Sequence, residues 1–266
     1  MAQHQARKRF GQNFLTDTGI ITRLVRSIAP RADDLMVEIG PGQGALTRPL
    51  MDELEHLHAV ELDRDLIALL QRTLSARRLT LHQADALRFD FSTLMPDGDS
   101  RRLRVVGNLP YNISTPLMFH LISQIHVVQD MHFMLQKEMV DRLVAVPGTS
   151  DWGRLSIMIQ YHCQTDFLFM VPPESFSPAP KVDSAIVRLV PHATLPHPVS
   201  DYPRFAALVN QVFTQRRKAI RNGLKSFLSP AEIEAAGIDP GLRPEQLSLA
   251  DFAALGNAAA ARASHA

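Results

Sequence analysis

Leu35-Met-Val-Glu-Ile-Gly-Pro-Gly-Gln-Gly-Ala-Leu-Thr47 is the stretch from which the rest of the chain can be read. It starts as an apolar, partly β-branched run, turns on Gly40, Gly42 and Gly44, and continues with Leu46 and Leu50 at helical spacing. The pattern is strand, glycine turn, helix. With no Cβ in the way, a ligand can lie against bare backbone there. The spacing is G-x-G-x-G, not the dinucleotide G-x-G-x-x-G, and no Lys-Ser/Thr pair follows, so a phosphate-cradling loop is excluded as well. The turn is led by an acid, Glu38, and carries no base, which argues for a neutral or cationic nucleoside over an anionic phosphate.

Strand and helix patterns alternate outward from this point. Residues 16–29 read as a helix capped by Thr16 or Asp17 and stopped by Pro30. His58–Asp63, Leu79–Asp85, Leu103–Val106 and Met131–Leu135 read as further strands, with helices at 64–75, from Ser114, at 137–146 and up to Tyr161. Asp166–Val171 and Ala185–Val190 flank a proline-rich loop, and such neighbours usually pair antiparallel. The alternation predicts a doubly wound α/β fold, a mainly parallel seven-stranded sheet with an antiparallel edge hairpin. Residues 1–190 would form this domain, including an N-terminal arm and helix over 1–30. The proline-rich 191–200 would be a linker, and 201–266 a small all-α, basic C-terminal domain whose tail, 258–266, frays.

The chain has 266 residues, 45% hydrophobic and 21% charged, which suits a globular protein. One cysteine, Cys163, excludes an internal disulfide and fits a reducing, cytoplasmic setting. No apolar run approaches the ~20 residues of a membrane span, and the N-terminus lacks a signal-like apolar segment. The net charge of +1 suggests no partner by itself, but its distribution does. Arg7, Lys8 and Arg9 stand without an acid, and Arg204, Arg216, Arg217, Lys218, Arg221 and Lys225 face Asp201 alone over 201–228. Charge runs are usually solvated faces. Here the imbalance, at helical spacing, favours contact with a nucleic-acid backbone. The eleven histidines show no metal-ligand spacing, so no metal is expected.

In doubly wound sheets ligands bind at the carboxyl ends of the strands. Glu61 stands at such an end about 20 residues past the glycine turn, where an acid accepts from ribose hydroxyls. Asp63 reads better as a helix cap. Asp85, ending the next strand, either accepts from an adenine amine or caps a turn, and the residues alone leave the two readings even. Asn108-Leu-Pro-Tyr111 follows the fourth strand. An exocyclic adenine amine is a poor nucleophile, and the Asn108 side-chain oxygen with the Leu109 carbonyl would pull it towards tetrahedral geometry. Pro110 stiffens the backbone, and Tyr111 offers a stacking face. Positioning of this kind against a sulfonium methyl carries most of the barrier reduction. Phe176, inside Pro172–Pro180, is either a second stacking face for a flipped-out base or a plug at the core edge. Gln12 and Asn13, in Phe10–Leu15, are candidates for the far end of the cofactor or for a phosphate.

These motifs resemble the ribosomal RNA adenine dimethyltransferase family over nearly the whole chain. The resemblance runs through Phe10–Leu15, Glu38–Thr47, Glu61–Asp63, Asn108–Tyr111, Leu135–Glu138, Pro172–Asp183, Phe213–Lys218 with Asn222, and Arg243–Leu247. It implies S-adenosylmethionine as donor, with Asn13, Leu15, Gly40, Glu61, Asp85 and Asn108 among its contacts. It implies a target-base pocket at Asn108, Leu109, Tyr111 and Phe176. The implied reaction places two methyls on N6 of each of two adjacent adenosines near the 3′ end of 16S rRNA, in the assembling 30S subunit. A monomer is expected. The antibiotic-resistance branch, acting on large-subunit rRNA, shares these motifs. The Phe-x-x-Arg-Arg-Lys element and helical tail favour the small-subunit branch. A non-catalytic RNA-binding factor on the same fold would not need an intact pocket.

Overall fold

The structure, a computed structural model, describes residues 13–264. The chain divides into two compact units. The first comprises the residues up to Val140 with Gln164–Pro191, and the second Asp141–Cys163 with His192 onwards.

The first unit is built on a seven-stranded sheet. Its chain order starts with β1 (Phe14–Leu15), α1 (Thr18–Ile28), β2 (Met36–Ile39), α2 (Thr47–Glu53), β3 (Leu57–Glu61), α3 (Arg64–Thr73) and β4 (Leu79–Gln83). It continues with β5 (Leu103–Asn108), α4 (Ser114–Ser123), β6 (Val128–Gln136) and α5 (Lys137–Leu143). After α6 (Arg154–His162), which belongs to the second unit, come β7 (Cys163–Val171), β8 (Phe176–Ser177) and β9 (Ser184–Pro191). The strand order is β4-β3-β2-β5-β6-β9-β7. β2, β3, β4, β5 and β6 pair in parallel, and β9 enters antiparallel to β6. The expected doubly wound sheet is therefore present. The order reverses between β2 and β5, which makes that junction the crevice where such sheets bind ligands. β2 is buried on both faces, as central parallel strands are.

The start signals act as read. Asp17 Oδ1 accepts from the N–H groups of Gly19 and Ile20 at 2.8 and 3.1 Å, and Asp63 Oδ1 accepts from Asp65 N–H at 3.0 Å. Arg104 is a charged side chain inside the sheet. It bonds Asp130 and Asp34, and its Nη2 donates to the Ile28 carbonyl at 2.6 Å, pinning the end of α1 to β5 and β6. β5 runs two residues further than the sequence predicts, so Asn108 is its last strand residue, in register with Met134.

The second unit holds α6, α7 (Tyr202–Thr214), α8 (Ile220–Gly223), α9 (Pro230–Ala235) and α10 (Leu249–Ser264). Asp141–Cys163, placed by sequence in the first domain, clusters here because Trp152 is fully buried. Its indole N–H donates to the Leu247 carbonyl at 2.9 Å, and Gly148 N–H reaches the Glu245 carbonyl at 2.7 Å. The tail does not fray as expected up to Ser264. Ala259 and Ala260 are buried, which holds the last turns of α10 in place. Among the described residues no helix is long and apolar enough to cross a membrane.

Candidate active site

A cavity of about 270 Å³ opens at the carboxyl ends of β2, β3, β4 and β5. Its walls include Asn13, Leu15, Gly40, Gly42, Glu61, Asp85, Asn108, Leu109, Pro110 and Tyr111, so residues far apart in the chain are brought to one place.

The glycine turn makes one wall. Gly40, Gly42 and Gly44 have φ of +69°, +57° and +85°, a region that side chains with a Cβ rarely adopt. Gly40 N–H donates to the Val60 carbonyl at 2.9 Å, which ties the turn to β3. A Cβ on Gly42 would sit 3.2 Å from the Phe14 ring, and one on Gly44 3.0 Å from Leu70 Cδ2. Gly44 faces this packing and is not among the cavity residues.

Glu61 is held by the backbone. Its Oε1 accepts from Leu62 and Asp63 N–H at 2.8 Å each, and Oε2 takes a long contact of 3.4 Å from Gly42 N–H. Burial raises its pKa, and these N–H groups oppose the rise. Leu62, half exposed, adds an apolar wall beside it. Glu38, on β2, also lines the cavity and is 2% exposed. Burial pushes its carboxyl up to about 8, with Glu61 adding repulsion and Thr47 opposing. Neither Glu38 Oε2 nor Thr47 Oγ1 completes a hydrogen bond among the described residues. Asp85 closes a turn, which is one of the two readings, and it also faces the cavity. Its Oδ1 accepts from Leu87 N–H at 3.0 Å.

Across the cavity, Asn108 Nδ2 donates to the Asn13 carbonyl at 3.1 Å. That bond orients the side-chain amide. It uses one of the two amide hydrogens, and Oδ1 is the side chain's acceptor at this wall of the cavity. Pro110's carbonyl accepts from Ser114 Oγ at 3.1 Å and Ile113 N–H at 3.2 Å. Gly107, just before, is a residue the sequence reading passed over. A Cβ there would stand 2.5 Å from the Ile39 carbonyl oxygen, so β5 passes β2 with only hydrogen between them. A glycine interrupting an apolar strand was the available signal.

Phe176 does not line this cavity. It is 5% exposed, pairs with Leu15 through the short β1–β8 ladder, and packs with Val171 and Phe169, which is the core-edge plug of the two readings. Gln12, Arg7, Lys8 and Arg9 lie outside the described residues. The C-terminal basic cluster is not one helical face. α7 stops at Thr214, Arg216, Arg217 and Lys218 occupy a turn, and Arg221 stands on the single-turn α8. Arg216 is engaged within its unit, donating to the Ser150 carbonyl at 2.6 Å, with Glu245 3.9 Å away. Arg217, Lys218, Arg221 and Lys225 are exposed, and Arg221 and Lys225 flank a shallow groove with Asn222 and Ser229. Among the described residues, no three His, Cys, Asp or Glu side chains converge to hold a metal.

Known proteins share this architecture and its sequence. The chain is 62% identical over 257 residues to ribosomal RNA small subunit methyltransferase A of Alcanivorax borkumensis, covering 97% of this chain and 91% of that protein. It is 60% identical over 254 residues to the protein of the same name from Pseudomonas fluorescens, covering 95% and 93%. Among solved structures, a dimethyladenosine transferase from Plasmodium falciparum superimposes with a TM-score of 0.76 at 26% identity, over 91% of this chain and 95% of that one. The 23S rRNA methyltransferase ErmE gives 0.72 at 26%, over 92% and 99%. The family model described as ribosomal RNA adenine dimethylase matches residues 3–261, and the chain belongs to that family.

Proposed function

We propose that this enzyme methylates N6 of two adjacent adenosines near the 3′ end of 16S rRNA, two methyls on each, in the assembling 30S subunit in the cytoplasm, with S-adenosylmethionine as donor. One observation carries the reading: Asn108 ends a rigid strand with its amide nitrogen bonded to Asn13, leaving its oxygen as acceptor opposite the glycine turn.

The cavity fits an adenosyl cofactor. Bare backbone at Gly40 and Gly42, the backbone-held carboxylate of Glu61 and the apolar side chain of Leu62 suit a nucleoside. Asn13, Leu15 and Asp85 complete that side. When bound, S-adenosylmethionine supplies an already activated methyl on a sulfonium centre. The chain's own part is positioning. Asn108 Oδ1 and the Leu109 carbonyl accept the two hydrogens of the adenine amine and turn its lone pair out of conjugation. Pro110 holds the backbone, and Tyr111 stacks on the base. Phe176 would reach a base only by leaving its core position, which supports Tyr111 as the stacking residue. Exposed Arg217, Lys218, Arg221 and Lys225 are the proposed phosphate contacts.

Tritiated-methyl transfer to unmodified 30S and 50S particles, followed by mass spectrometry of the nucleosides, tests this. Dimethyladenosine in 16S rRNA is expected. Labelling confined to 23S rRNA would instead favour the ErmE-like reading, which the 26% identity to ErmE, against 60–62% to the small-subunit enzymes, disfavours.

A further inference from the structure

We infer that Ser184 is a positioning residue for the target adenine, acting through Tyr111. The inference rests on the proposed reaction and adds a residue that lies outside its motifs. Ser184 Oγ and Tyr111 Oη lie 2.7 Å apart, a hydrogen bond in which either hydroxyl can donate. Ser184 is fully buried and is the first residue of β9. Its backbone has no freedom, because it stands in register with Gln136 of β6, and the preceding carbonyl, of Asp183, accepts from Lys137 N–H at 2.9 Å.

Two features separate this from ordinary packing. A hydroxyl in a fully buried position is unfavourable unless it is bonded, and alanine would fill the place without that penalty. The bond also falls at the far end of the tyrosine ring. Anchored at Cα by the Pro110 turn and at Oη by Ser184, the ring has both side-chain torsions fixed, and with them the plane it presents to the cavity. Burial raises the phenol's pKa, so it remains a neutral hydroxyl through the physiological range. An aromatic platform fixed before the base arrives loses no side-chain freedom on binding. The sheet thus sets the angle of the ring against which Asn108 and Leu109 must hold the adenine amine.

A double-mutant cycle on the full chain tests the assignment, with kcat, KM for immature 30S particles and cofactor affinity measured for each variant. Ser184→Ala and Tyr111→Phe should each lower kcat/KM for the RNA about ten-fold, while cofactor affinity by calorimetry stays within two-fold. In the Tyr111→Phe background, Ser184→Ala should have no further effect. Multiplicative losses would overturn the inference, as would a loss of cofactor affinity matching the loss of turnover. If Ser184→Ala fails to fold, Tyr111→Phe alone decides, since the ring remains and full activity would refute the role of the bond. A wild-type enzyme inactive on 30S particles would refute the proposed reaction itself.

Discussion

Replacing Glu38 by glutamine should make the protein more stable at neutral pH, and by an amount that can be worked from its surroundings. The carboxyl is 2% exposed and close to Glu61, and Thr47 Oγ1 beside it completes no hydrogen bond among the described residues. Burial raises its pKa from 4.5 to about 8. The folded chain therefore keeps this proton up to about pH 8, while the unfolded chain releases it above 4.5. Wherever the folded state binds more protons, stability falls as pH rises. The loss begins near pH 4.5 and is complete near 8. At about 1.4 kcal/mol per pH unit, the 2.5 units between 4.5 and pH 7 amount to about 3 kcal/mol. Glutamine keeps the shape, cannot ionise, and offers Thr47 Oγ1 a donor. Urea unfolding of the cofactor-free protein at pH 5, 6, 7 and 8 should show the two proteins close together at pH 5, with the variant ahead by about 3 kcal/mol at pH 7. Parallel stability curves across the range would refute a buried, protonated Glu38.

Asn108→Ala should abolish methyl transfer while cofactor affinity, by calorimetry, changes little, because the acceptor is lost and the glycine turn is untouched. Unchanged turnover would remove Asn108 from the mechanism. Gly107→Ala should destabilise by about 1–3 kcal/mol, read as a lowered Tm, since its Cβ meets the Ile39 carbonyl at 2.5 Å. His132 is 1% exposed, and burial lowers its pKa to about 4. The unfolded chain takes up this proton near 6.5, so His132 should contribute a fall of up to about 3 kcal/mol as pH drops from 6.5 to 4, beside similar contributions from His58 and His162. His132→Leu should make that limb shallower in acid titrations followed by circular dichroism.

Much of the site was legible because its signals are local. A glycine turn after an apolar run, acids at strand ends, and caps such as Asp17 and Asp63 need only their neighbours, and the sheet then delivers them to one crevice. What the sequence concealed depends on distant partners. Asp141–Cys163 looks like more of the alternating domain until Trp152 finds the Leu247 carbonyl 95 residues away. Phe176 has no apolar period around it, so its burial beside Leu15 could not be read from spacing. The basic run at 216–225 fits helical spacing, but α7 ends before it. Arg104 looks like an interruption of a strand, and only the fold supplies its two carboxylates. Ser184 is one hydroxyl among apolar residues, and register alone carries it to Tyr111.

Gly107 has a mechanical consequence. Where β5 passes the Ile39 carbonyl, the glycine turn after β2 and Asn108 at the end of β5 are joined main chain to main chain, with no side chain between them. In the proposed reaction the gap that the methyl group crosses is then set by the spacing of two adjacent strands. Rotamer changes at the rim of the cavity cannot widen it. In the proposed reaction a nitrogen already carrying one methyl would meet the same fixed gap as an unmodified one, and the room for it would have to come from a side chain at the mouth that is not pinned, such as the half-exposed Leu62.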